Sequence, residues 1–542
     1  MIVVSGRFLV WIDPLCTSFI IIGMGNLSPF ARNVLDALTD DEKLKNEILH
    51  PQGLRPVSKA QCMQDFVRRI EQAKENGEKV LVAGDYDCDG MMSTSILFQA
   101  LKAKGIECGY YIPNRLKEGY GLSANTVQMA HDKGYSLIVT VDNGVKAKDA
   151  LAKAKELGVD VIVTDHHLIS DPVDASILVH PTLMEEDFSS LCGAGLAYEC
   201  ARAIGVDQER FLIWAAIASV ADCMEVIGET RSIIQKGLEA LNTNGEPHIR
   251  ALCSQIPLDE SHVGFQIAPK INAIGRLADQ ANPNTFVRFL ENDQPAVINS
   301  YARQLESLNE KRKELSRVVS MKASLEANPL WPVLVAADES FHEGVVGLAA
   351  GSLCHQTGKP AIVGTVGEDQ VKCSMRAPEG FHCLEFLEGF DGYLALGGHA
   401  QAAGFSVAKD RWADFEQFVL DKGRKIKWTP AEAQVIELDP DQATVDNIRS
   451  LDALRPFGTG LPAPRFALME PDILNTFDLS QGKHRKYTLS DGLQVLNFNQ
   501  SSMEAAAAPA DIEEFIGTLS ISTFRNKETP QFIADQVVLK ED

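Results

Sequence analysis

No stretch of this 542-residue chain reaches the roughly 18 consecutive apolar residues that a membrane-crossing helix needs. The nearest approach is residues 1–24, where Arg7, Asp13 and Pro14 interrupt the apolar patches. That segment also lacks a basic start followed by one apolar core and a cleavage site, which excludes a secretory signal. It reads as an extension ahead of Met24, and poor order is expected there. Paired cysteines are missing too. The eleven cysteines are scattered, odd in number and without a CxxC pair. This argues against a disulfide framework or a zinc ribbon and for a reducing, cytoplasmic location with no membrane partner. A basic surplus is absent as well: the net charge is −23. Phosphate binding rests on Lys and Arg, so this speaks weakly against a nucleic-acid partner. The carboxylates of a metal site would deepen such a deficit, however, and base is locally concentrated in Arg424-Lys425-Ile426-Lys427 and Lys483-His484-Arg485-Lys486. Each of those clusters alone is more simply a solvated face.

What is present is ample core material: 45% hydrophobic residues in a length that suits about three to four domains. Residues 25–75 read as a polar helical segment. From about 78 to 170, apolar runs at Lys79–Ala83, Leu137–Val141 and Val159–Val163 alternate with helical patterns at Met91–Lys104 and Lys146–Leu157, which predicts a parallel α/β sheet. Helices follow to about 250, one opening at Gly193 and one over Arg210–Ala221. Gln294–Glu326 has no glycine, its only proline is Pro295, and its apolar spacing is helical; it reads as a long helix connecting domains. Strand candidates Val333–Ala337 and Ala361–Gly364 flank a helix at Val345–His355, giving a second, smaller α/β domain over 328–425. From 430 to 542, short alternating runs separated by turns suggest a β-barrel. The expected divisions are thus 1–24, 25–75, 76–250, 251–327, 328–425 and 430–542.

The chemistry lies at the ends of the first strands. Gly84-Asp85-Tyr86-Asp87-Cys88-Asp89-Gly90 follows the first, Asp142-Asn143-Gly144 the second and Asp165-His166-His167 the third, with Asp222 downstream. Tips of parallel strands lie side by side, so these groups should meet in one crevice. Four or five carboxylates and one or two imidazoles can hold two hard divalent cations, a device suited to in-line displacement at phosphorus. A calcium-binding EF-hand would need Glu at the twelfth position of its loop, where this chain has Ile96. An Asp-x-Asp phosphatase loop would not carry Asp89 as its fifth residue. Asp89 could serve only as a helix cap, but three aspartates in five residues exceed what a cap requires. Their repulsion calls for cations, and His donors would favour Mn²⁺ alongside Mg²⁺.

These residues resemble the DHH phosphoesterase superfamily. GDYDCDG, VDNG, TDHH and VAD occur in order, and Gly397-Gly398-His399-Ala400-Gln401-Ala402-Ala403-Gly404 resembles the GGHxxAAG signature of the associated DHHA1 domain. The segments at 269–277, 341–347 and 455–460 are similar to those of the RecJ branch, single-strand-specific 5′→3′ exonucleases. The resemblance covers about 30–542. It implies a parallel-sheet DHH domain joined by a long helix to an α/β DHHA1 domain, followed by an OB-fold. It departs where many members have His two residues before the first motif aspartate; this chain has Ala83.

By resemblance, Asp87, Asp89, Asp142, His166 and Asp222 would ligate two Mn²⁺ or Mg²⁺ ions, with Asp142 and Asp222 bridging and Asp85 as a further ligand. His167 would contact the scissile phosphate. Arg276, Ser374 and Arg376 are candidates for holding a 5′ phosphate and backbone, joined by Arg115, by Tyr120 stacking on a base, and by His399 near the cleft. The expected activity is metal-dependent hydrolysis of single-stranded DNA in recombination and repair. A monomer is expected, with a single-strand-binding protein and a helicase as the partners the family implies. Two rival readings remain. One is a DHH enzyme for short or cyclic oligonucleotides, against which the OB-like segment speaks. The other is a non-catalytic scaffold of the same fold, against which the complete motif set speaks.

Overall fold

The computed structural model describes residues 27–428, 434–498, 500, 504 and 506–540; the extension at 1–24 lies outside them. The chain forms two compact units. One comprises Gln52–Gln434 with Pro456–Ala463, and the other comprises the segments before residue 52, Val435–Arg455 and Pro464 onward. No helix of the described residues is long and apolar enough to cross a membrane.

The first unit opens on a five-stranded parallel sheet. Its strands are β1 (Val80–Ala83), β2 (Cys108–Tyr111), β3 (Leu137–Val141), β4 (Asp160–Thr164) and β5 (Ile177–Val179), in the order β2-β1-β3-β4-β5. β1 and β3 are buried along their whole length, as their unbroken apolar runs require of strands covered on both faces. Helices Ala124–Asp132 and Lys148–Leu157 cover one face, packing Val127, Ala130, Leu151 and Ala154 onto Leu81, Ile138, Val161 and Val163. Ser123 caps the first of these helices, and Gly158 ends the second in the left-handed region, as such caps do. The chain runs from β1 outward to β2 and returns to β3 on the other side of β1. This reversal leaves a crevice beyond the carboxyl ends of β1 and β3. Helices Gly193–Ala203 and Glu209–Ala221 pack against helix Cys88–Ala103, which follows β1.

Helix Pro295–Glu326 then leads to a mixed sheet of β6 (Leu334–Asp338), β7 (Ala361–Val366), β8 (Gln370–Arg376), β9 (Tyr393–Gly398) and β10 (Ala402–Ala408), ordered β6-β7-β8-β10-β9. Only β6 and β7 are parallel. The connecting helix and helix Val346–Thr357 cover one face through Val319, Ala323 and Ala350. Phe386, Phe415 and Val419 fill the other.

The C-terminal unit holds seven strands in the order β11-β12-β16-β17-β15-β14-β13: β11 (Ile436–Glu437), β12 (Phe466–Met469), β13 (Ile473–Leu479), β14 (His484–Leu489), β15 (Gln494–Phe498), β16 (Ile512–Phe524) and β17 (Lys527–Leu539). The helical segment expected over 25–75 divides here. Helix Pro29–Leu38 belongs to the C-terminal unit, where Phe30 stacks on Phe466 at 6.1 Å and Ser28 Oγ donates to Ser450 Oγ at 2.8 Å. Helix Gln61–Glu75 belongs to the first unit. Local pattern marks a helix but not the core that receives its apolar face.

Candidate active site and metal centre

The loop after β1 turns directly into helix Cys88–Ala103. Asp87, not Asp89, is the N-cap, accepting from Gly90 N at 3.0 Å. Asp89 instead accepts from Gly193 N and Ala194 N, both at 2.7 Å. It thereby ties the start of helix Gly193–Ala203 to the strand tips, where backbone donors favour a carboxylate. The approach is close: a Cβ at Gly193 would stand 2.4 Å from Asp142 Cβ, so no larger residue fits. Asp142 itself takes a left-handed conformation (φ 62°) at the tip of β3, one that Asp tolerates better than most residues.

The predicted ligands converge. His166 Nε2 lies 3.1 Å from Asp142 Oδ1, 3.5 Å from Asp222 Oδ2 and 3.7 Å from Asp89 Oδ2. Asp85, Asp87 and Asp142 form a second group with oxygens within 4.8 Å of one another, and Asp142 with His166 and His167 forms a third. Asp85 is buried, and its Oδ1 has no hydrogen-bond partner among the described residues. Burial, reinforced by neighbouring carboxylates, pushes Asp85 and Asp142 well above the ordinary range and Asp87 above it; Asp222 rises to about 9. Burial lowers His166, against the pull of Asp89, leaving a neutral imidazole that can ligate. Concentrated carboxylates, an orphaned oxygen and a neutral imidazole suit hard or borderline divalent cations.

His167 differs. Its Nδ1 is 2.8 Å from Asp165 Oδ1. Burial would lower its pKa, but the Asp165 hydrogen bond and charge prevail and raise it. Asp165 is fully buried and also accepts from the backbone N–H of Val145, His166 and His167. It acts as a scaffold for the pair rather than a member of the cluster. Asn143 is a second scaffold: its side chain donates to the carbonyls of Ala83 and Val141 and accepts from Leu122 N, joining β1 to β3. Tyr120, 44% exposed, donates its hydroxyl to the Asp142 carbonyl at 2.9 Å and sets its ring edge-on to His167.

Beside the acidic cluster lies a basic one. Arg276 ends helix Ala268–Arg276. Burial pushes its pKa down to about 10, and the charges of Arg115, Arg312 and Arg376 add to the fall while Asp87 opposes it. Arg312 donates to Asn309 Oδ1, Arg376 donates to the Met375 carbonyl, and Arg115 lies over the Tyr86 ring at 5.1 Å, where its charge also reaches Asp85 and Asp87. Ser374 Oγ and Arg376 Nη2 both face Gly347 in the first turn of helix Val346–Thr357, where free N–H groups favour anions. Two contacts hold Arg276 in register. Asn272 Oδ1 accepts from Cys88 N at 2.7 Å. Gly344 passes so close to the Arg276 carbonyl that a Cβ there would stand 1.8 Å from it. His399 is exposed in the β9–β10 turn; burial lowers its pKa, and the charges of His167 and Lys146 add to that. Sequence reasoning missed Arg312, Asn143 and Asn272 as site residues and placed Asp165 in the crevice without assigning it a role. Arg312 carries no local signal in a helix rich in charge, whereas the other three sit inside recognised motifs.

Three family models match: the DHH family N-terminal domain over residues 79–224, the DHHA1 domain over 301–422 and the RecJ OB domain over 436–536. The single-stranded-DNA-specific exonuclease RecJ of Salmonella typhimurium is 31% identical over 460 residues, spanning 76% of this chain and 79% of that protein. This chain belongs to the RecJ family. The Bacillus subtilis RecJ is 30% identical over 502 residues, and here the chain covers 88% of its own length but only 64% of that relative. Among solved structures, Thermus thermophilus RecJ in complex with Mn²⁺ superposes with a TM-score of 0.82 at 26% identity, over 95% of this chain and 79% of that one. The RecJ architecture of parallel-sheet α/β domain, DHHA1 domain and OB domain is therefore the one described above.

Proposed function

We propose that this chain is a metal-dependent exonuclease that degrades single-stranded DNA from the 5′ end, working in the cytoplasm as a monomer in recombination and repair. The observation that carries this reading is the juxtaposition of a carboxylate–imidazole cluster built on buried Asp85, Asp89 and Asp142 with a half-buried arginine cluster. One needs cations and the other an anion, and a phosphodiester chain with bound divalent ions satisfies both. The relatives named as single-stranded-DNA-specific exonucleases support the substrate.

Asp87, Asp89, Asp142, His166 and Asp222 would hold two Mn²⁺ or Mg²⁺ ions, with Asp85 as a further ligand. Such ions lower the pKa of bound water towards neutrality and neutralise charge on a phosphate oxygen. Asp165 keeps His167 oriented and favours its protonated form, so that a ring N–H would donate to the scissile phosphate as negative charge develops. Arg276, Arg376, Arg312 and Arg115, with Ser374, would grip a terminal 5′ phosphate through forked donors. Donors that select a terminal phosphate beside the hydrolytic cluster would favour cutting from an end over cutting within the strand. His399 and Tyr120 flank the path of the strand.

The C-terminal sheet supports strand binding by its exposed residues. Phe477 and Phe498 are exposed, Lys486 Nζ lies 5.6 Å from the Phe477 ring centre, and His484 packs edge-on against Phe498 at 5.4 Å. Aromatic rings and cations so paired make a sequence-tolerant stacking surface. A single-strand-binding protein and a helicase would deliver such a substrate. The test uses single strands labelled at one end at a time, with 5′-phosphate or 5′-hydroxyl termini, in Mn²⁺. The 5′ label should leave first as mononucleotide, faster with the phosphate. Release from the 3′ end first, or internal cuts, would overturn the reading.

A further inference from the structure

The sequence motif Arg455-Pro456-Phe457-Gly458-Thr459-Gly460 has no part in the function proposed above. Pro456–Ala463 belongs to the first unit, although the chain on both sides of it belongs to the C-terminal one. This strap lies along the loop that follows Asp222.

That loop is strained. Asp222 is the C-cap of helix Glu209–Ala221, and Cys223 after it is left-handed, with φ 54°. Met224 N donates to Ser219 O at 3.1 Å and Cys223 N to Val220 O at 3.2 Å. This is the helix-ending pattern in which glycine usually takes the left-handed position. A side chain there costs backbone energy, and such a conformation persists only where its surroundings hold it. The strap provides that hold. Thr459 Oγ1 donates to the Cys223 carbonyl at 2.7 Å, Val226 N donates to Thr459 O at 3.0 Å, and Glu225 and Thr459 form a parallel bridge. The strap is itself anchored. Arg231 Nη1 donates to Pro456 O at 3.1 Å, and Phe457 N donates to Glu260 Oε1 at 3.1 Å.

We propose that this strap is a positioning element for the metal centre: Thr459, through the Cys223 carbonyl, fixes the turn that aims the Asp222 carboxylate at the ion. The inference rests on the reading of Asp222 as a metal ligand. The test compares wild type, Thr459→Val, Thr459→Ser and Asp222→Asn in the full chain. Three quantities are measured: calorimetric Mn²⁺ affinity without DNA, the metal-free Tm, and single-strand affinity in chelator. Loss of one hydrogen bond should weaken Mn²⁺ binding about fivefold in Thr459→Val, with Tm falling by no more than about a few degrees and strand affinity unchanged, and Thr459→Ser should restore Mn²⁺ affinity. Wild-type Mn²⁺ affinity in Thr459→Val beside weakened binding in Asp222→Asn would overturn the role of the strap and leave the metal centre standing. A lowered Tm in Thr459→Val whose Mn²⁺ defect Ser does not rescue would also overturn it, because the hydroxyl would then serve folding alone. Unchanged Mn²⁺ affinity in Asp222→Asn would instead remove the ligand reading beneath the proposal.

Discussion

The acidic and basic halves of the site solve the same physical problem with opposite signs. Asp85, Asp87, Asp89, Asp142 and Asp222 crowd negative charge at the strand tips; Arg115, Arg276, Arg312 and Arg376 crowd positive charge beside them. Burial and like charge push Asp85, Asp87, Asp142 and Asp222 on one side, and Arg276 and Arg376 on the other, towards their neutral forms, a cost that a bound counterion would offset. The buried Glu199–Glu229 pair is the contrast. Burial raises these carboxyls too, with the charge of Glu199 adding to the rise at Glu229, but Arg202 lies against both of them and Arg55 N donates to Glu229 Oε2 at 2.8 Å, so the opposing charge comes from within the fold. Like charge left unbalanced marks a ligand site, and like charge balanced internally marks architecture.

The largest effect should come from breaking the acidic half. Asp142→Ala, which removes a carboxylate shared by two of the ligand groups, is expected to cost at least about a thousandfold in Mn²⁺-dependent hydrolysis, while a filter-binding assay in chelator still detects the strand. If variant and wild type hydrolyse alike, the scaffold reading gains. His167→Ala separates ligand from phosphate contact. The expected loss is about a hundred- to a thousandfold in turnover with Mn²⁺ affinity retained; a parallel fall in Mn²⁺ affinity would make His167 a ligand. Breaking the basic half should cost less. Arg276→Ala should reduce the preference for 5′-phosphate over 5′-hydroxyl ends about ten- to a hundredfold, with Arg276→Lys intermediate because it keeps the charge and loses the fork. Metal affinity should not move.

The balanced cluster should give the smallest effect. Burial holds Glu229 up at about 7, against an ordinary 4.5. A carboxyl raised in the folded state favours folding below pH 4.5 and loses that contribution as pH climbs to about 7. Wild type should therefore lose a few degrees of Tm over that window, and Glu229→Gln should flatten the slope. An unchanged slope would place the balance elsewhere.

Most of the acidic half was legible in the sequence, because each ligand follows a strand or ends a helix and period alone gives those elements. β1, β3 and β4 begin and end within a residue or so of their apolar runs. The basic half was legible only in part. Arg276 sits in a recognisable motif and Arg376 was picked out beside Ser374, but Arg312 lies on a long helix whose charges look alike from its own sequence. The division of the N-terminal helical segment between two units was not legible either. The apolar face of Pro29–Leu38 shows that it must be buried; only Phe466, more than 400 residues on, shows where.

Local pattern set the strands β1, β3 and β4, the acids at their ends and the helices that follow β1 and β3, since those depend on periodicity and capping between near neighbours; the strands β2, β5 and β8 to β10 carry weaker signals. Tertiary structure alone decided that Arg312 joins Arg276, that Asp165 turns inward, and that Thr459 reaches the turn after Asp222. Each of these depends on two segments distant in the chain packing at a set distance, and no local pattern encodes that distance.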